Sequence, residues 1–297
     1  MTLPNLFLGG AQKSGTTALH RFLEKHPEVY TPPDRQEIHF FDEEASYARG
    51  LDGYRSLFAG AAGRPVVFQT SPLYLFDPKV PERIHRACPD ARHLFILRQP
   101  VDRAYSHYWH EVRFGRERLS FEAALAAEDE RVARSWADRR HYSYVARGRY
   151  AEQLDRYFRL FGRERVRVVL TDDLRGDLPG VAESLGSFLG LDPSPWHRAA
   201  REAAEEAAQT KDGGGGFRRN RARLPRSRTL QRLILPFRRS IPALVWAVEK
   251  VNLRSARYPP MQPETRRRLQ AAFDDEIRAL EGRIDRDLRH WRELEIV

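Results

Sequence analysis

Four short runs constrain the fold of this chain more than any other feature: Leu6–Leu8, Val66–Phe68, His93–Leu97 and Val166–Leu170. Each is nearly continuous in apolar or β-branched residues, the pattern of strands buried on both faces of a parallel sheet. Helical spacing lies between them. Leu19, Phe22 and Leu23 share one face of Thr17–Lys25, and Val101, Tyr105, Tyr108, Trp109 and Val112 recur after the third run. Tyr150–Phe161 forms another helical pattern before the fourth. Parallel strands need long crossovers, so the alternation predicts βαβ units and an α/β fold. From Pro263, the stripe Leu269, Phe273, Ile277, Leu280, Ile284, Leu288 and Trp291 predicts one long amphipathic C-terminal helix.

With 297 residues, the simplest division is a single domain, 1–297, with a core over about 1–200 and a basic helical extension over about 211–297. Lys and Arg total 51 against 41 Asp and Glu, a net charge of +10. Between Lys211 and Arg257 stand 13 Lys and Arg against Asp212 and Glu249, so the excess is local. Cations there alternate with Leu230, Leu233, Ile234, Leu235, Phe237 and Trp246, a composition suited to peripheral membrane contact over 217–257. A solvated arginine-rich face is the plainer alternative. No recognition motif accompanies the charge, so nucleic acid is not expected as a partner.

Cys88 is the sole cysteine, which excludes an intramolecular disulfide framework and points to a reducing compartment. The opening MTLPNLFLGG has no basic stretch before its short apolar run, so a cytoplasmic location is expected, with membrane-peripheral attachment through the basic segment as its variant.

In open parallel sheets, ligands bind beyond the carboxyl ends of the strands. The first run leads through Gly9-Gly10-Ala11-Gln12-Lys13-Ser14-Gly15-Thr16-Thr17 straight into a helix. Such a strand, glycine loop and helix N-terminus form a cradle of backbone N–H groups for an anion. Lys13 adds a point charge, and Ser14, Thr16 and Thr17 add hydroxyls. A nucleotide triphosphatase loop would place Lys and Ser or Thr directly after its second glycine; here the lysine comes two residues before Gly15. Where such enzymes carry a magnesium-holding aspartate after a strand, this chain has Arg98.

Arg98 therefore reads as a second anion clamp, with Ser106 as its hydroxyl partner one helix further on; taken singly, each reads equally well as a surface group. A third element is Arg35-Gln36-Glu37-Ile38-His39-Phe40-Phe41-Asp42. Glu37 and His39, two residues apart in an aromatic setting, can supply a general base and a polar partner, and an apolar surround would raise the carboxylate's pKa.

Together, Lys13-Ser14-Gly15-Thr16-Thr17-Ala18-Leu19, Glu37-Ile38-His39-Phe40-Phe41 and Leu97-Arg98-Gln99-Pro100-Val101-Asp102-Arg103-Ala104-Tyr105-Ser106 resemble the sulfotransferases that use 3′-phosphoadenylyl sulfate. The resemblance is nearest to the heparan sulfate branch and its bacterial relatives, and Ser71-Pro72-Leu73-Tyr74 and Gly148-Arg149-Tyr150 add to it. It implies a P-loop-like three-layer fold, a central mainly parallel sheet flanked by helices, with a helical C-terminal extension. It implies a bacterial-type enzyme of carbohydrate sulfation, with 3′-phosphoadenylyl sulfate as cosubstrate and no metal.

Carried over residue by residue, Lys13, Ser14, Gly15, Thr16 and Thr17 hold the 5′-phosphosulfate, and Arg98 and Ser106 hold the 3′-phosphate. Glu37 is the base, Lys13 stabilises the leaving oxygen, and His39 orients. The expected acceptor is a hydroxyl of a carbohydrate or glycolipid. The chain departs from the heparan sulfate pattern at Gln36 and at Gln69-Thr70, where those enzymes often carry lysines, which bears on the acceptor more than on the reaction. Two alternatives remain at this point: a P-loop kinase-like phosphotransferase, and a basic membrane-surface binding module.

Overall fold

The computed structural model describes residues 2–209, 222–225, 229–230, 233, 253–256 and 258–293. The chain divides into two compact units: Met1–Arg98 with Tyr150–Phe217 and Gly282–Arg286, and Gln99–Arg149 with Arg218–Glu281 and Asp287–Val297.

The first unit holds a five-stranded sheet: β1 (Leu6–Gly10), β2 (Val29–Tyr30), β3 (Val66–Thr70), β4 (Arg92–Leu97) and β5 (Val166–Leu170). Its order is β2-β3-β1-β4-β5 and every pairing is parallel. Helices α1 (Thr16–Leu23), α2 (Val80–Ala87), α4 (Tyr150–Phe161), α5 (Thr171–Gly176), α6 (Leu178–Leu189) and α7 (Ser194–Gln209) belong to the same unit, and α3 (Pro100–Arg113) to the second. This is the predicted α/β class: a central parallel sheet flanked by helices.

The near-continuous apolar strands follow from cover on both faces. Leu6, Leu8, Leu94 and Ile96 join Leu19, Phe22, Leu185 and Trp196 in an aliphatic core. Strand alternation turns Phe7, His93 and Phe95 the other way, into an aromatic layer where Phe7 meets Phe41 at 5.9 Å and His93 meets Phe161 at 4.0 Å. Burial pushes the His93 imidazole down to about 3, so it packs there as a neutral aromatic ring.

Two strands exceed what the sequence pattern shows. β3 continues through Gln69 and Thr70, 1% and 2% exposed, because Tyr54 Oη donates to Gln69 Oε1 at 2.7 Å and Thr70 Oγ1 bonds His20 Nδ1 at 2.7 Å. Buried polar side chains are tolerated when paired in this way. β2 has only two residues, too few for any periodicity to register.

In the second unit, Tyr105 and Tyr108 of α3 meet Phe121 of the short helix Phe121–Ala126, and Glu111 of α3 meets His141 of the short helix Trp136–Tyr142, with the short helix Glu128–Arg134 between those two in the chain. Its C-terminal helix α8 spans Pro263–Ile284 and buries Leu269, Phe273, Ile277 and Leu280. A Cβ on Gly148 would come within 2.8 Å of the Phe273 ring, so only glycine allows that approach. The predicted single helix to Trp291 is corrected: Asp285 takes a left-handed φ of 52°, and a short helix, Arg289–Arg292, follows. Such a residue ends a right-handed helix, yet Leu288 and Trp291 remain buried beyond the break.

Among the described residues, no helix is long and apolar enough to cross a membrane. Most of the basic segment 211–257, including the proposed membrane contact over 217–257, lies outside the described residues. The described parts include two paired antiparallel strands, β6 (Ala222–Pro225) and β7 (Leu253–Ala256).

Candidate active site

The candidate residues of the first unit gather where β1, β3, β4 and β5 end. After β1 the chain passes through Ala11–Gly15 into α1, and Ala11 N–H donates to the Ile96 carbonyl of β4 at 2.8 Å. Thr171, the first residue beyond β5, places its hydroxyl 2.5 Å from the Ser14 carbonyl and 3.0 Å from that of Leu97. One side chain thereby ties the loop to the end of β4, immediately before Arg98. Arg98 is half-buried, and its carbonyl accepts the Tyr150 hydroxyl at 2.9 Å.

Lys13 and Gly15 both adopt left-handed backbone, at φ 70° and 106°. Glycine does so freely, whereas a residue with a Cβ pays roughly 1–2 kcal/mol. Strain of that kind recurs at ligand clamps, and here it falls on the one loop cation. Helix α1 starts at Thr16 with Gly15 as its N-cap and no side-chain cap. The first N–H groups of a helix have no intrahelical acceptor and sit at the positive end of its dipole.

Ser14 is 1% exposed and its Oγ is buried without a hydrogen-bond partner among the described residues. An unpartnered buried hydroxyl is costly, and a phosphate or sulfate oxygen would satisfy it. Thr16 is buried and Thr17 exposed. These groups fit the anionic end of a phosphorylated cosubstrate.

The Glu37 segment docks on the end of β3 through Ile38 N–H, which donates to the Thr70 carbonyl at 2.9 Å. The wholly buried Tyr74 fixes it further: Oη accepts from Phe41 N–H at 3.2 Å and donates to the Ile38 carbonyl at 3.1 Å. Ile38, Phe40 and Phe41 are buried, but the Glu37 side chain is 45% exposed. The apolar surround anticipated for this carboxylate is therefore corrected, because the aromatic side chains turn inward while Glu37 turns out.

What faces Glu37 is His39. Its Nδ1–H donates to Asp42 Oδ2 at 2.7 Å, with Ser71 Oγ 3.3 Å from the same nitrogen, and its Nε2 lies 3.5 Å from Glu37 Oε2. Burial disfavours charge on the ring, but hydrogen bonds to Asp42 and then Glu37 outweigh it and raise the pKa to about 9. His39 is thus an imidazolium at neutral pH, fixed by a buried carboxylate on one side and presented to Glu37 on the other. It cannot itself accept a proton there, which suits it to orienting Glu37.

A raised histidine pKa stabilises the fold below the unfolded value of about 6.5. That contribution is lost as pH rises through about 9. An NMR titration is expected to place His39 near pH 9, and Asp42→Asn to bring it back by more than about one unit toward 6.5. A wild-type titration already at 6.5 would contradict the pairing.

Ser106 belongs to the second unit, on α3, and is 3% exposed. Sequence reasoning overlooked Asp42, Ser71 as a neighbour of His39, and Thr171. Asp42 carried a usable signal, standing three residues beyond His39; Thr171 carried none, since its role depends on strand order.

The α/β fold thus carries a strand–loop–helix turn after β1 and a Glu37–His39 pair docked on the end of the neighbouring strand β3. The family model described as "Sulfotransferase domain" matches residues 3–211, and the chain belongs to that family. It is 31% identical over 194 residues to mouse heparan sulfate glucosamine 3-O-sulfotransferase 5, covering 64% of this chain and 54% of that protein. It is also 31% identical over 202 residues to human bifunctional heparan sulfate N-deacetylase/N-sulfotransferase 2, covering 64% of this chain and 22% of that one. The chain thus spans about half the length of the first relative and about a fifth of the second. The crystal structure of a sulfotransferase from Alicyclobacillus acidocaldarius superposes with a TM-score of 0.69 at 32% identity, over 99% of this chain and 100% of that one.

Proposed function

We propose that this protein transfers the sulfuryl group of 3′-phosphoadenylyl sulfate to a hydroxyl of a carbohydrate or glycolipid. The observation that carries the reading is the placement of the Lys13–Thr17 loop, with its unsatisfied buried Ser14 hydroxyl, after β1, and of the Glu37–His39–Asp42 set docked on the end of the neighbouring strand β3. Family membership supports sulfuryl chemistry, and the heparan sulfate relatives support a saccharide acceptor.

In this reading, Lys13, Ser14, Gly15, Thr16 and Thr17 hold the phosphosulfate end, while Arg98 and Ser106 hold the 3′-phosphate. Glu37 takes the proton of the acceptor hydroxyl as that oxygen forms its bond to sulfur. The bond from sulfur to the bridging phosphate oxygen breaks, and its electron pair stays on that oxygen. Lys13 stabilises the resulting charge, a preorganised electrostatic contribution. His39, held by Asp42, keeps Glu37 aimed.

Incubation with 35S-labelled donor and a panel of saccharides and glycolipids is expected to give a labelled acceptor and adenosine 3′,5′-bisphosphate. Consumption of ATP with phosphate transfer instead would favour the kinase-like alternative. A second prediction isolates the loop. Ser14→Ala removes an unsatisfied hydroxyl, so Tm should stay level or rise slightly. Affinity for adenosine 3′,5′-bisphosphate should nonetheless fall about two- to tenfold, the worth of a typical hydrogen bond; unchanged affinity would remove Ser14 from the site.

A further inference from the structure

β3 ends on Thr70 and Ser71 follows it, and these two buried residues join both halves of the candidate site in the first unit. Alternation along the strand puts Thr70 on the same face as Phe68, against α1, and Ser71 on the opposite face, against the Glu37 segment. Thr70 Oγ1 lies 2.7 Å from Nδ1 of His20 on α1, the helix into which the Lys13–Thr17 loop runs. The Thr70 carbonyl accepts the Ile38 N–H that docks the Glu37 segment, at 2.9 Å. Ser71 N–H donates to the Leu8 carbonyl of β1 at 3.0 Å, and its hydroxyl lies 3.3 Å from His39 Nδ1.

His20 is held on its other sides as well. It is 3% exposed, its ring meets Phe68 edge-on at 4.9 Å, and its Nε2 lies 3.5 Å from Glu24 Oε1, one turn further along the chain. Burial lowers the His20 pKa against the opposing charge and hydrogen bond of Glu24, so the ring is neutral at pH 7. A neutral imidazole has one N–H and one lone pair, and a carboxylate can only accept. Nε2 therefore carries the proton, and Nδ1 accepts from the Thr70 hydroxyl. Stability alone does not call for this pair, since replacing two buried partners by apolar groups of the same shape can be nearly neutral. What the pair adds is a fixed position for the residue on whose carbonyl the Glu37 segment hangs.

We propose that His20 is a positioning residue for Glu37: through Thr70 it ties the base segment to the helix that follows the Lys13–Thr17 loop, and so sets where the base stands relative to that loop. Glu37 is among the groups whose charge acts on the His20 ring. The inference rests on the reading of Glu37 as the base of sulfuryl transfer and adds to it a side chain that touches no substrate.

Because Glu37 lies 3.5 Å from His39 Nε2 and helps to hold the His39 pKa up at about 9, the NMR titration of His39 reports where Glu37 sits. In the full chain, His20→Leu and Thr70→Val should each move that titration down from about 9 toward the ordinary value of 6.5. The double variant should move it no further, since both single changes cut one link and residues acting as a unit are non-additive. His20→Asn keeps an acceptor oxygen for the Thr70 hydroxyl and should retain most of the wild-type value. Thr70→Val preserves the shape of the side chain and suits a strand, so it decides the matter even where His20→Leu does not fold. In the 35S assay on the saccharide panel, both single variants should lower kcat about two- to tenfold, the worth of one hydrogen bond, with affinity for adenosine 3′,5′-bisphosphate kept within about twofold. A His39 titration unchanged in the single variants, shifts that add in the double variant, or a loss confined to Tm would overturn the proposal. Adenosine 3′,5′-bisphosphate titrated into the wild type reads the sulfuryl-transfer proposal separately: its failure to bind sinks that reading, while the His39 comparison still decides the role of His20.

Discussion

Glu37→Gln is expected to lower kcat by about 10²–10⁴-fold, the contribution of a positioned general base, with affinity for adenosine 3′,5′-bisphosphate kept within about threefold. The substitution retains the side chain's size and leaves the Ile38 and Tyr74 bonds that dock the segment untouched. It removes the one carboxylate at this site that combines solvent access with an imidazolium at 3.5 Å. Asp42 cannot take over, being 4% exposed and committed to His39 at 2.7 Å. Because Glu37 also helps raise the His39 pKa, the variant's histidine should titrate somewhat lower, and that NMR shift reports that the pair existed in the wild type. Turnover close to wild type would remove Glu37 as the base.

Lys13→Met is expected to lower kcat by about 10²–10³-fold, the usual cost of losing one oxyanion-stabilising group. Methionine retains much of the stem and leaves the left-handed backbone at φ 70° unrelieved, so Tm should move little. The contrast is Arg98→Ala. A hydrogen bond to a charged group contributes about 1.5–3 kcal/mol, so affinity for adenosine 3′,5′-bisphosphate should fall roughly 10- to 150-fold while kcat at saturating cosubstrate changes far less. If both variants lost only affinity, Lys13 would be a binding group without a part in bond cleavage.

The sheet was legible in the sequence because strands covered on both faces need apolar residues at every position, as Leu6–Leu8 and His93–Leu97 have. Where burial was satisfied by pairing, the pattern failed: Gln69 and Thr70 look like loop residues until Tyr54 and His20 are placed beside them. The strand–loop–helix turn from β1 into α1 was readable from residue types and spacing alone. The setting of Glu37 was not, since the aromatic run Phe40-Phe41 suggested an apolar enclosure and only the docked backbone shows which side chains turn inward. Asp42 and Thr171 act across the fold, one through an imidazole and one between strand ends. The break at Asp285 was hidden by an apolar stripe that continues past it to Trp291.

The central claim is that the loop after β1 and Arg98 after β4 receive a nucleotide carrying two separated phosphates. Calorimetric titration of adenosine 3′,5′-bisphosphate into the wild-type protein tests this without knowledge of the acceptor. Saturable one-to-one binding is predicted, weakened by Arg98→Ala and by Ser14→Ala, with 5′-AMP binding at least about tenfold more weakly for want of the 3′-phosphate. Absence of binding, or equal affinity for the two nucleotides, would contradict it.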